Sequence, residues 1–225
     1  MRTLAKWHIW LGWLIGVPIL IWLASGLFMV ARPIEEVRGN HLRKEMPERT
    51  LPGDVRLIDR VSGDAKVVEI TQRMDNDGPV AIMRFADGSR SRYSLRSRTA
   101  SQPVTRDAAK ALVAERIVGG DRVVRTDAFP ADEPPSDFRR PIPVWRIALE
   151  DGTHVYVSRD TGEIEAVRTR WWRAFDFMWG LHIMDLQTRE DTSHPTLILF
   201  AAISLIGALM GFVLLFRRRK RRVPA

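Results

Sequence analysis

Three histidines sit where an imidazole is unusual. His8 opens one apolar run, and His182 and His194 come shortly before a second. An ionisable ring in or beside a hydrocarbon layer is costly to place, so each is a functional candidate by default. Plainer readings exist: His8 as an interfacial ring reaching toward lipid headgroups, His182 as a packing residue. Met178 and Met184 flank His182. Two thioethers with one imidazole form a soft donor set that suits copper, although in an aromatic amphipathic segment the same residues also read as packing. Ser193-His194 is a neighbouring pair with no third member to make a triad. The sequence has no H-E-x-x-H, no G-x-S-x-G, no phosphate loop and no nucleotide-binding glycine fingerprint. Its acids fall at no spacing that predicts a paired-carboxylate site. The balance leans away from an enzyme, and no metal site is assigned.

The elements that would hold these residues follow from charge and hydropathy. Formal net charge is +8 over 225 residues, yet the excess lies wholly at the two ends. Arg2 and Lys6 open the chain and Arg217 to Arg222 nearly close it, while residues 1–31 and 217–225 hold no acid. The stretch between is neutral, which argues for membrane topology rather than a nucleic-acid face. Trp7–Ala31 and Pro195–Phe216 carry no formal charge, and each is long enough at about 1.5 Å per residue to cross about 30 Å of hydrocarbon. The first is too long for a typical signal-peptide core and lacks a small-x-small cleavage site, so an uncleaved span is expected. The positive-inside rule then places both termini in the cytoplasm and residues 35–190 outside, in a bacterial periplasm. The chain contains no cysteine, which excludes disulfides, thiolate metal ligation and covalent haem attachment.

Gly12-x-x-x-Gly16 and Gly207-x-x-x-Gly211 lie at matching depths from the basic ends. They predict antiparallel spans packed glycine to glycine, with Pro18 kinking the first. Between the spans, Thr105 with the apolar spacing of Ala108, Ala111, Leu112 and Ile117 predicts a helix that Gly119-Gly120 stops. Val144–Leu149, an Asp151-Gly152 hairpin, Val155–Val157 and a Thr161-Gly162-Glu163 turn predict antiparallel strands. Pro79-Val80 with Asp87-Gly88 repeats as Pro143-Val144 with Asp151-Gly152 at one offset, which suggests two copies of a helix-plus-hairpin unit, the first degenerate. The five-proline segment 129–143 is a long loop between strands of the second copy. Residues 170–186 are crowded with Trp171, Trp172, Phe175, Met178 and Trp179, as in a segment lying at a membrane boundary.

The stretch Val104-Thr-Arg-Asp-Ala-Ala109, Gly119-Gly120, Pro143-Val-Trp-Arg146, Asp151-Gly-Thr153, Val155-Tyr-Val-Ser158 and Thr161-Gly-Glu-Ile164 resembles the PepSY domain. Trp7-His-Ile-Trp-Leu-Gly12 and Gly180-Leu-His182 resemble the opening of that family's first span and the Leu-His pair before a later one. The whole chain thus resembles a PepSY-associated transmembrane protein. One departure stands out: where many PepSY domains carry an Asp before the closing turn, this chain has Ser158-Arg159-Asp160, so a role resting on that acid does not carry over.

The resemblance implies an α+β extracytoplasmic domain of two PepSY-like helix-plus-antiparallel-strand units between two transmembrane helices. The expected order is a cytoplasmic N-terminus (1–6), a membrane helix (7–31), a connector (32–53) and a degenerate unit (54–102). A PepSY domain (103–168), an amphipathic interfacial segment (169–194), a membrane helix (195–216) and a cytoplasmic basic tail (217–225) follow. The family implies two functions. One is a binding or regulatory module for a peptide, peptidase or other envelope partner, with no cofactor. The other, from larger ferric-siderophore reductases, is b-type haem between membrane histidines. In this chain His8, His182 and His194 are the haem-ligand candidates, with His8 paired across a homodimer, or His182 paired with His194, Met178 or Met184. The partners expected are the lipid bilayer, an envelope peptidase or an iron-uptake component, and no nucleic acid.

Overall fold

The computed structural model describes residues 2–58 and 66–220, the last three as backbone alone. They fall into two compact units, one of residues 35–170 and one of residues 1–34 with 171–225.

The first of these holds two four-stranded antiparallel meanders. β1 (Val67–Asp75), β2 (Gly78–Phe85), β3 (Arg90–Ser94) and β4 (Thr99–Ala100) pair in chain order, as do β5 (Val123–Phe129), β6 (Val144–Leu149), β7 (His154–Ser158) and β8 (Ile164–Arg168). The repeat offset read from the sequence recurs here: Asp87-Gly88 and Asp151-Gly152 each turn a hairpin, with φ 85° at Gly88 and 81° at Gly152. A positive φ of that size is open to glycine at little cost. Where β1 and β2 join through Asn76-Asp77, β5 and β6 are joined by the proline-rich segment. The helix expected at the head of the first copy does not form over residues 54–58, which are turn and irregular backbone; residues 59–65 lie outside the described residues. The helix of the second copy is α3 (Arg106–Arg116), numbered after a short α2 (Ile34–Val37). Thr105 caps it, its side chain accepting from Ala108 N at 3.3 Å. Gly120 lies so close to the last turn that a Cβ there would stand 2.1 Å from the Val113 carbonyl oxygen.

Strand alternation divides the second sheet. Ile147, Leu149, Val155, Val157 and Val167 meet Ala109, Val113 and Ile117 of α3 in one core. Val144, Tyr156 and Ala166 face the other way and take Phe138 from the 130–143 loop. The loop is therefore a packed layer; burying Phe138 alone is worth about 2 kcal/mol. Ahead of the sheets, Arg43 bridges Ile117, and Lys44 N donates to the Arg116 carbonyl at 2.9 Å, tying the connector to the end of α3.

The other unit contains α1 (Arg2–Met29), α4 (Arg170–His182) and α5 (Pro195–Lys220). α1 and α5 are long and apolar enough to cross a membrane, and α1 runs through Pro18. They pack against each other, but not glycine to glycine. A Cβ on Gly207 would lie 3.3 Å from Ile15 Cδ1 and one on Gly211 2.9 Å from His8 Cε1, whereas Gly12 and Gly16 have nothing within 4 Å. His8 and Ile15 lie about 20° apart around α1 and so face α5 together, while Gly16 is turned about 100° from Ile15. The glycines of α5 thus receive the larger side chains of α1. Gly211→Leu should separate the helices and cost about 1–3 kcal/mol, while Gly12→Leu should be neutral. Thermal unfolding in detergent reads the contrast, and equal shifts would mean the helices do not meet through this face.

Candidate functional site

The outer face of the second sheet is closed by a polar clamp. Asp137, in the proline loop, accepts from Tyr156 Oη and lies 2.9 Å from His154 Nδ1. Arg168 Nε donates to the Asp137 carbonyl at 3.0 Å, and Phe138 stacks on Tyr156 with centroids 4.7 Å apart. His154 and Tyr156 share the phase of β7 that points away from α3, so the strand presents both to the loop. Burial pushes the Asp137 carboxyl up, but the His154 and Tyr156 hydrogen bonds outweigh it and hold the pKa down at about 2. The Tyr156 phenol is raised well above its usual range, by burial first and then by Asp137. An acid whose carboxylate takes two strand donors and whose carbonyl takes a third acts as a fastening between loop and strand.

The sheet edges differ in how they are finished. At β1, Gln72 reaches across to Ile58, accepting from its N–H at 2.8 Å and donating to its carbonyl at 3.2 Å. At β8, Arg43 donates to the Ile164 carbonyl and Arg140 to the Glu165 carbonyl. β4 is two residues long. β5 spans seven residues, pairs with β6 alone, and ends the sheet. Among the described residues no hydrogen bond reaches its outer side. Val124 on it is 63% exposed, beside a bulge between Val123 and Arg125. Asp127, drawn below its usual pKa by hydrogen bonds from Arg146 and Arg125, links the strand to β6. An unpaired edge of this length is a ready template for another strand.

The histidines named from the sequence make no hydrogen bond to one another among the described residues. His8 packs at Gly211, and its buried Nδ1 has no hydrogen-bond partner among the described residues. His194 Nδ1 lies 2.6 Å from Thr196 Oγ1, and the His194 carbonyl accepts from Leu197 and Ile198 at the start of α5. His182 docks on α1: it stacks on Trp22 at 4.6 Å, and its Nδ1 lies 3.1 Å from Ser25 Oγ and 3.2 Å from the Trp22 carbonyl. A Cβ on Gly26 would lie 3.1 Å from the His182 ring, so glycine admits it. A carbonyl oxygen only accepts, which puts the proton of the neutral ring on Nδ1 and leaves Nε2 its lone pair. His182 meets α1 some 14–17 residues beyond His8, or about 21–26 Å along the helix. No group of three or more His, Asp or Glu able to hold a metal ion occurs among the described residues.

Sequence reasoning did not single out Asp137, His154 and Tyr156. The available signal was the His-x-Tyr alternation on a strand whose other phase is Val. Asp185 was also missed. It gathers the turn between α4 and α5, accepting from the N–H groups of Gln187, Thr188, Glu190 and Asp191 and from the Thr188 hydroxyl. The Thr188 hydroxyl, against some burial, holds its carboxyl far below the usual range. In the closing turn, Ser158 Oγ accepts from Thr161 N at 3.2 Å, so a hydroxyl serves there.

A family model described as PepSY-associated TM region matches residues 5–225. No curated protein and no solved structure matches the chain.

Because the Asp137 carboxyl is depressed, its contribution is complete above about pH 4 and lost as pH falls through about 2. It is worth about 2 kcal/mol at neutral pH. Asp137→Asn should lower stability at pH 7 by that order, and the gap to the native protein should close between pH 4 and 2. Denaturation followed by tryptophan fluorescence at stepped pH checks this; a gap constant with pH would contradict it.

Proposed function

Because the chain belongs to the PepSY-associated TM region family, and is a membrane protein with two candidate spans, we propose that it is a periplasm-facing binding module. It is anchored in the bacterial inner membrane with both termini in the cytoplasm. The two four-stranded units are read as PepSY-like. The second takes an extended segment of an envelope partner, a peptidase among them, as an added strand. One observation carries this reading: β5 is a seven-residue strand at the end of its sheet whose outer side receives no hydrogen bond among the described residues, while side chains of Arg43 and Arg140 reach the carbonyls of β8 at the other end. Main-chain pairing gives affinity without special side chains, which suits a domain with no catalytic cluster. The bulge at Val123 confines regular pairing to Arg125–Phe129, and Arg125 and Asp127 would select against like-charged segments. The 130–143 loop is a weaker candidate surface, since Asp137 and Phe138 are spent on holding it down.

A photo-crosslinking residue placed at Val124 of the full chain should capture an envelope protein in cells, and one at Lys110 on α3 should not. Equal adducts at both positions would sink the strand-edge reading. The topology is checked separately: a reporter fused after Ala225 should be active only in its cytoplasmic form.

A second reading is b-type haem with His182 as an axial ligand. What favours it is the Nδ1 hydrogen bond to the Trp22 carbonyl, the arrangement that orients a ligating imidazole and keeps Nε2 available. Bound haem would supply one-electron chemistry. The fit is partial: His8 lies about 21–26 Å along α1 from where His182 docks, so the opposite ligand would come from His194, Met178, Met184 or a second copy of the chain. Protein purified from haem-replete cells should then show a Soret band that His182→Ala abolishes; a colourless preparation removes this reading.

A further inference from the structure

At the β8 side of the second sheet, away from β5, four cations converge on one pocket. Arg43, Lys44, Arg73 and Arg116 line a space of about 310 Å³ together with Glu163, Met46 and Ile164. Their partners do not balance them. Glu163 is shared between Arg73 at 2.9 Å and Arg90 at 3.4 Å. Arg116 holds Asp75 at 2.7 Å, but its Nε is buried with no hydrogen-bond partner among the described residues. Arg43 and Lys44 reach only carbonyl oxygens, of Ile164 at 3.2 Å and Ala114 at 2.9 Å. Burial lowers the Arg43 pKa, and Glu165 only partly offsets it; no acid lies in salt-bridge contact with Arg43 or Lys44 among the described residues, so both keep charge to offer. The chain segment carrying the two residues is rigidly placed: Arg43 bridges Ile117, and Val118 N donates to the Leu42 carbonyl at 2.8 Å.

We propose that this pocket receives the C-terminal carboxylate of a peptide whose last side chain is apolar. A guanidinium fork and an ammonium match a carboxylate in shape and charge. Glu163 in the wall repels a dianion such as phosphate about twice as strongly as a monoanion. Met46, 38% exposed, and Ile164 offer an apolar wall for the adjoining side chain. The site does not depend on strand addition at β5, which lies at the opposite end of the sheet order.

The test is fluorescence anisotropy of dansyl-Ala-Ala-Leu with the full chain in a neutral detergent. The free acid should bind, and the C-terminal amide should bind at least tenfold more weakly. Arg43→Ala with Lys44→Ala should weaken the acid by a similar factor with an unchanged melting temperature. Arg43→Lys alone should retain part of the affinity, which a merely collapsed pocket would not. Inorganic phosphate should fail to compete at concentrations where N-acetyl-leucine does. Equal binding of acid and amide, or displacement by phosphate as readily as by N-acetyl-leucine, overturns the proposal. The Val124 crosslink reports on β5 independently, so the two sites can fail separately.

Discussion

A sheet with apolar side chains on both faces must be covered on both, and β6 to β8 carry such side chains on each side. α3 closes one face with small and branched residues that fit between strand side chains. The other face has no helix available, and the chain covers it with a loop. A loop brings unpaired backbone polar groups with it. The Asp137 clamp answers that difficulty: the residue engages Tyr156 and His154 through its carboxylate and Arg168 through its carbonyl. Phe138 then enters a gap already lined by Tyr156. The five prolines restrict the backbone beforehand, so less entropy is lost when the loop settles.

The first sheet meets the second through charge rather than a shared apolar core. Arg73 and Arg90 bridge to Glu163, Arg90 also to Glu165, and Arg116 of α3 to Asp75. Single pairs of this kind contribute little when exposed. Here Glu165 is 6% and Asp75 9% exposed, so leaving either unpaired would be costly. The network therefore sets the position of the first sheet more than it adds stability. It also draws Arg140 and Arg43 to the carbonyls of the β8 edge, at the other end of the sheet order from β5. The same crowding of arginines against few acids lines the cationic pocket.

In the membrane unit, few interactions are specific and those few are sterically strict. Gly207 and Gly211 admit Ile15 and His8, and Gly26 admits His182. Each pairs an absent side chain with a ring or branched chain on the facing helix, which suits a lipid environment where close packing replaces hydrophobic driving force. α4 is fixed to α1 at both ends, by Trp171 stacked on Phe28 and His182 on Trp22. The Asp185 turn then sends the chain into α5.

Local sequence was enough to place the two apolar helices, α3 with its Thr105 cap, and the glycine-marked hairpins. Each depends on interactions a few residues apart: hydropathy over one span, a cap over one turn, a positive φ at one glycine. The repeat was legible for the same reason, since turn chemistry recurs at a fixed offset. What the sequence could not settle were pairings between distant segments. Gly12 and Gly16 carried the same motif as the α5 glycines, yet no facing side chain comes within 4 Å of either, and His8 and Ile15 make the contact instead. His182 and His194 were close in sequence, but one ring docked on α1 and the other stayed at the α5 cap. Asp137 looked like a surface acid in a mobile loop until the strand alternation of β7 put two donors opposite it. Whether an edge strand stays open is decided the same way, because it depends on which far-off side chains arrive to cover it.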